Sequence, residues 1–194
     1  MEYTQHYIEI PRMFYSDAAE ALFDRCLGCD VFLLEDGRQY IIEKAYRRYT
    51  GYGTQDTVFE YAMCFDCFVS LQEAMSEESM NRVRSYFDRH VDLFDRRKIL
   101  LAKDQVRVDD WMDRCLVKGT PIAELEEYQI FGHCDGKDLL FTLFPYAIGS
   151  EAIDEISLLL SNKTLGEIDG FMDDHFGFPP ELRKLLIEKK MFVV

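Results

Sequence analysis

No stretch of this chain approaches the roughly 18 apolar residues a membrane-spanning helix requires. The opening residues, MEYTQHYIEIPRMFYSD, contain no apolar run of signal-peptide length. Basic charge is scarce as well: 22 Lys and Arg stand against 36 Asp and Glu, for a net charge of −14. DNA, RNA and anionic membranes would be repelled by such a surface, so the expected partners are proteins or basic molecules, with no membrane among them. Low-complexity segments are missing, and with 48% hydrophobic and 14% aromatic residues the 194-residue chain can bury a core. Enzyme signatures are absent too. There is no His-Glu-x-x-His and no Gly-x-Ser-x-Gly, and the run from Gly132 to Lys137 is one residue short of a phosphate loop and is followed by Asp138.

Cysteine is present in quantity. With no export signal the expected compartment is the cytoplasm, where six cysteines point to metal binding, redox chemistry or burial and not to a disulfide framework. Four of them form two Cys-x-x-Cys pairs, Cys26 with Cys29 and Cys64 with Cys67, with 34 residues between the pairs. Each such turn can place two sulfurs on one ion at about 2.3 Å, and two turns complete a tetrahedron. Gly28 suits a tight reversal through positive φ. Cys64 and Cys67 open a helical pattern through Phe68, Leu71, Gln72 and Met75, where the amide end favours thiolate charge. Between the pairs, Val31 to Leu34 and Tyr40 to Ile42 flank Glu35-Asp36-Gly37-Arg38, which predicts a hairpin with Asp-Gly in its turn.

A knuckle, a hairpin and a second cysteine pair opening a helix resemble the treble-clef zinc finger over about residues 24 to 76. The resemblance rests on order and spacing, and the gap between the pairs exceeds the common 15 to 20 residues. It implies one structural Zn2+ held by Cys26, Cys29, Cys64 and Cys67. Two redox-active pairs, or an iron site of rubredoxin type, are the alternative readings.

An internal repeat extends the pattern. Phe23-Asp24-Arg25-Cys26-Leu27 recurs as Met112-Asp113-Arg114-Cys115-Leu116, and Asp36 to Ile42 recurs as Asp135 to Phe141. At a constant offset of 85, residues 61–90 then match 146–175 without gaps, with Ser76 meeting Ser161. Apolar positions agree at helical intervals, Leu71 with Ile156 and Val83 with Ile168 among them. In the second copy Cys29, Cys64 and Cys67 fall on Lys118, Gly149 and Ala152, so the metal site is lost. The expected fold class is therefore α+β, a tandem duplication of treble-clef-like units (knuckle, β-hairpin, helices), the first zinc-bound and the second without metal. The expected organisation is an N-terminal strand and short helix (1–23, the helix from about Ser16 to Asp24), the zinc unit (24–95), a charged bridge (96–110), the metal-free repeat (111–178) and a C-terminal helix (179–194).

Other residues invite a role. Lys44, Tyr46, Arg47, Arg48, Tyr49 and Tyr52 form a basic, aromatic loop at 44–53, the one basic spot on an acidic chain. Such interleaving occurs where bases stack on rings, and the loop is expected to contact a partner, protein more often than nucleic acid. Its plainer account is a strand extension whose arginines pair with neighbouring carboxylates. His90 and His175 occupy matching positions, each at a helix end, where the helix field favours a cation. Cys115, His133 and Cys134 are conceivable ligands, yet adjacent side chains chelate poorly and no fourth ligand is evident. Taken together, the sequence predicts a non-catalytic zinc protein acting as an interaction or adaptor module. The alternatives are a nucleic-acid-associated factor using the loop at 44–53, and an enzyme with a site between the two units, against which the missing motifs weigh.

Overall fold

A computed structural model of the protein describes residues 6–49 and 51–176. The chain is mixed α and β, with one antiparallel sheet and, among the described residues, six α-helices. Strand β1 (Tyr7–Glu9) precedes a loop-rich segment, after which β2 (Gln39–Tyr49) and β3 (Thr54–Cys64) form a long hairpin. Four helices follow: α1 (Phe65–Ala74), α2 (Glu77–His90), α3 (Leu93–Leu101) and α4 (Val108–Met112). The chain then returns to the sheet through β4 (Glu127–Asp135), β5 (Asp138–Leu140) and β6 (Tyr146–Gly149), and continues into α5 (Ser150–Ser157) and α6 (Asn162–Phe176). No described helix is long and apolar enough to cross a membrane.

The centre of the sheet is the β2–β4 ladder, paired without interruption from Gln39↔Asp135 to Arg47↔Glu127. β3 flanks β2 on one side, and β5 and β6 share the far edge of β4, with β1 beyond β5. Both halves of the chain therefore contribute to one sheet. β2 is buried on both faces from Tyr40 to Tyr46 because each face is covered. Side chains alternate along a strand, so Tyr40, Ile42, Lys44 and Tyr46 point one way and Ile41, Glu43 and Ala45 the other. The N-terminal segment packs on the first face: a Cβ on Gly132 would lie 2.8 Å from the Phe14 ring, and Tyr46 donates its hydroxyl hydrogen to Met13 O. Helices cover the second face, where Phe171 and Phe176 of α6 meet the Tyr61 ring edge-on at 6.0 and 5.9 Å.

Two turns repeat one hydrogen-bond pattern. Cys26 N donates to Val31 O and Leu27 N to Ala62 O; in the second half Cys115 N donates to Thr120 O and Leu116 N to Ala147 O. Arg25 bonds Asp30 O at 3.1 Å, and Arg114 bonds Gly119 O at 3.0 Å. The helix junctions repeat as well. Ser76 caps α2 through Ser79 N, and Ser161 accepts from Thr164 N. These two caps interlock: Ser76 N donates to Thr164 Oγ1, Ser161 N donates to Ser79 Oγ, and the two serine hydroxyls lie 2.8 Å apart.

Several expectations are corrected. Val31 to Leu34 forms no strand; Phe32 bridges Arg25 within the knuckle, and the hairpin turns at 51–53 instead of Asp36-Gly37. The two Asp-Gly turns are not equivalent, since the first precedes β2 and the second links β4 to β5. Antiparallel pairing brings them face to face, with Gly37 N on Asp135 Oδ1 at 2.6 Å and Gly136 N on Arg38 O at 3.1 Å. Ser16 to Asp24 is a bridged turn, not a helix, because its polar groups are drawn to Glu60. The charged stretch at 96–110 carries the rest of α3 and part of α4, and Arg96 is anchored inside by Trp111 O at 2.7 Å and Pro145 O at 3.2 Å. Burial lowers the Arg96 guanidinium to about 10. The helix expected after Pro179-Pro180 lies outside the described residues.

Candidate metal centre

Cys26 and Cys29 are presented by the first knuckle, and Cys64 and Cys67 by the junction of β3 with α1. Cys64 is the residue capping α1 and Cys67 sits in its first turn. The sheet register places the pair, since Cys64 pairs with Tyr40 at the buried end of β2. The knuckle is tied to the same strand by Leu27 N on Ala62 O at 2.9 Å. The four sulfurs consequently lie within 4.8 Å of one another, and all four cysteines are free thiols. Cys29 Sγ and Cys64 Sγ are 3.7 Å apart. A tetrahedral site with bonds of about 2.3 Å has sulfur–sulfur edges of about 3.8 Å, so these residues fit a metal ion.

The surroundings favour sulfur anions at some positions and oppose them at others. Burial alone would raise the Cys26 thiol, yet backbone amides from Cys64, Cys29 and Gly28 outweigh it and hold its pKa below the ordinary value. The Cys64 amide lies 3.2 Å from Cys26 Sγ. Burial and the neighbouring cysteine sulfurs push the Cys64 and Cys67 thiols up. Four sulfurs this close repel one another once ionised, and a divalent cation at their centre removes that cost. Gly28 serves the site through space and not through a left-handed backbone: a Cβ there would stand 3.2 Å from Cys67 Sγ. The positive φ of the knuckle belongs to Asp30, at 59°, and its counterpart in the second half is Gly119, at 68°.

The matching place in the second half keeps one sulfur. Cys115 Sγ accepts from Gly149 N at 3.3 Å, as Cys26 Sγ accepts from Cys64 N. Lys118 stands where Cys29 stands in the first half, and its ammonium reaches Glu155 at 2.5 Å and Glu151 at 3.4 Å. Cys115, His133 and Cys134 do not converge. His133 and Cys134 are neighbours on β4 and so face opposite sides of the sheet. His133 stacks on Phe65 at 5.9 Å, and burial lowers its pKa, while Cys134 is fully buried, and that burial pushes its thiol up.

The basic, aromatic run at 44–53 is mostly strand. Lys44 is completely buried, bonded to Asp17 at 2.9 Å, Glu60 at 3.2 Å and the Tyr15 carbonyl. Tyr46 is buried; Arg47 pairs with Glu127 at 3.0 Å, and Arg48 bonds Ile122 O at 2.7 Å. Tyr49 and Tyr52 are exposed. His90 and His175 each lie against the ring four residues earlier, Tyr86 at 4.3 Å and Phe171 at 4.7 Å, and His90 Nδ1 meets Tyr86 O at 2.7 Å. No protein-family model, curated protein or solved structure matches this chain.

Proposed function

We propose that this protein is a non-catalytic zinc-binding module for protein–protein interaction, with one structural Zn2+ held by Cys26, Cys29, Cys64 and Cys67. The observation that carries the reading is the clustering of those four sulfurs within 4.8 Å at the joint between knuckle, sheet and helix. An all-thiolate set of four leaves no open position for substrate, which favours a structural over a catalytic ion. Zinc is the metal that suits such a site without redox demands. On this reading the fold is a tandem pair of treble-clef-like units, the first metallated and the second held by its apolar core and by the Lys118 ion pairs. The matched knuckle hydrogen bonds and the interlocked serine caps support that duplication.

The interaction role draws support from the acidic surface and from large apolar side chains left in solvent, Phe94 at 77%, Ile99 at 58% and Leu158 at 74% exposure. Metal analysis of protein purified without added zinc tests the first part: one zinc per chain is expected, and iron or no metal refutes it. Affinity purification from the native source tests the second. A stoichiometric protein partner is expected with the intact chain and not with Cys64→Ser; recovery of the chain alone refutes the adaptor reading.

A further inference from the structure

β3 is the outermost strand on its side of the sheet and, among the described residues, pairs only with β2. Part of its other edge is open. Successive residues of a strand turn their N–H and C=O groups to opposite edges. Arg48 N donates to Glu126 O on the β4 side, so Gln55 opposite Arg48, and Thr57 opposite Tyr46, turn theirs away from β2. Among the described residues nothing bonds these outward backbone groups. Farther along, the edge closes. Val58 is the extra residue of a bulge, Ser16 to Ala18 hold the Glu60 carboxylate, and Leu27 N fills Ala62 O. The open stretch is therefore Thr54 to Val58, long enough for a short extended peptide to add as a further strand.

Asp56 decides which strand fits. It sits between the two outward-facing residues, exposed, with its side chain on the face opposite to theirs and with no hydrogen bond or ion pair among the described residues. Arg47, across from it on β2, bonds Glu127 at 3.0 Å instead. In an added antiparallel strand, the residue directly opposite Asp56 forms a non-hydrogen-bonded pair with it, the arrangement in which side chains approach most closely. A second copy of β3 is disfavoured by the same geometry, because the antiparallel register that uses Gln55 and Thr57 of both copies sets Asp56 against Asp56. A basic residue at that place is favoured by Asp56 and by the net charge of −14. Its neighbours in the added strand would lie on the other face, beside Gln55 and Thr57. There Asp17 engages the Thr57 hydroxyl and the Thr57 methyl is left, which suits an apolar neighbour.

We propose that the Thr54 to Val58 edge of β3 takes an extended segment of a partner protein, added as an antiparallel strand with a basic residue opposite Asp56 and apolar residues on either side of it. The edge's role rests on the interaction function put forward above, to which it gives a surface and a partner chemistry.

Titration of the zinc-loaded full chain with a blocked Val-Lys-Val-Lys-Val peptide, followed by amide-resolved NMR, tests this. Saturable binding is expected, with slowed hydrogen exchange at the Gln55 and Thr57 amides. The matching Val-Glu-Val-Glu-Val peptide should bind about fivefold more weakly or worse, the upper range for one exposed ion pair. Asp56 is exposed, so Asp56→Lys should fold normally, which circular dichroism checks, and should reverse the order of the two peptides. No saturable binding of the lysine peptide at millimolar concentration overturns the proposal. So do Gln55 and Thr57 amides left unprotected in the complex, or an order of peptides that a well-folded Asp56→Lys leaves unchanged. A chain that dimerises through these two amides without peptide overturns it in favour of a second copy. The purification from the native source is read separately: a partner recovered there, with no peptide bound here, removes the edge site and leaves the interaction role.

Discussion

Replacing Lys44 tests the account of the fold most sharply, because its side chain is removed from water completely and held between two carboxylates. Its Nζ meets Asp17 at 2.9 Å and Glu60 at 3.2 Å, with side-chain exposures of 0% for Lys44, 50% for Asp17 and 11% for Glu60. Removing one partner of a buried ion pair costs about 3–5 kcal/mol. Here the lower end applies, since Glu60 retains Ser16 Oγ and the amides of Asp17 and Ala18 while Asp17 is half in solvent. Lys44→Met keeps the apolar stem and should cost about 3 kcal/mol. Lys44→Ala also empties the space of the stem and should cost about 2 kcal/mol more.

The pH dependence has a definite sign. Burial alone would raise both acids, but hydrogen bonds from Thr57 and Lys44 hold Asp17 below its ordinary value, and the Asp17 and Ala18 amides, Ser16 and Lys44 do the same for Glu60. Their folded values are depressed, so their contribution is present above the unfolded carboxylate range of about pH 4 and lost as pH falls through the folded values. The gap between native protein and Lys44→Met should therefore be full at pH 7 and narrow below about pH 4. Urea unfolding at fixed free zinc, followed by circular dichroism, measures it. A Lys44→Met variant within about 0.5 kcal/mol of the native protein at pH 7, the range of ordinary surface substitutions, would refute the reasoning.

Glu43 carries the opposite sign: burial raises its carboxyl to about 8 despite the hydrogen bond from Tyr61, so the folded state keeps a proton that the unfolded state releases. Stability should fall by up to about 1.4 kcal/mol per pH unit between roughly pH 5 and pH 8, and Glu43→Gln should flatten that slope in a series of urea midpoints; an unchanged slope excludes the buried acid as its cause. Gly28→Ala should crowd Cys67 Sγ and weaken zinc retention by about tenfold or more, a loss typical of disturbed ligand support. Competition with a chromogenic chelator measures this, and unaltered retention would leave Gly28 without a spatial role. Removing the metal with a chelator should loosen both halves together, because the β2–β4 ladder joins them; hydrogen exchange confined to residues 24–76 would show instead that the metal holds only its own unit.

The cysteine set was legible because ligand chemistry imposes spacing on the chain itself: two residues between sulfurs, and a helix start at the second pair. What the sequence concealed was long-range. Asp36-Gly37 carries every mark of a hairpin turn, yet its partner is Asp135 across the sheet, and no local pattern announces a partner 98 residues away. Lys44 to Tyr49 resembles an exposed basic loop because Asp17 and Glu60, which neutralise Lys44, are distant in sequence. Glu43 looked like an ordinary strand residue between Ile42 and Lys44. Its burial follows only from the α6 helix that covers that face through Tyr61.

The ladder between β2 and β4 also bears on what either half could do alone. With the second half deleted, β2 would present unpaired amides and carbonyls from Gln39 to Arg47, a ready template for self-association. The simplest symmetric homodimer, centred where Glu43 now faces Phe131, would set Glu43 against its own twin in a dry interior. An aromatic ring at that crossing point relieves the clash, and only a chain with two unlike halves can supply it.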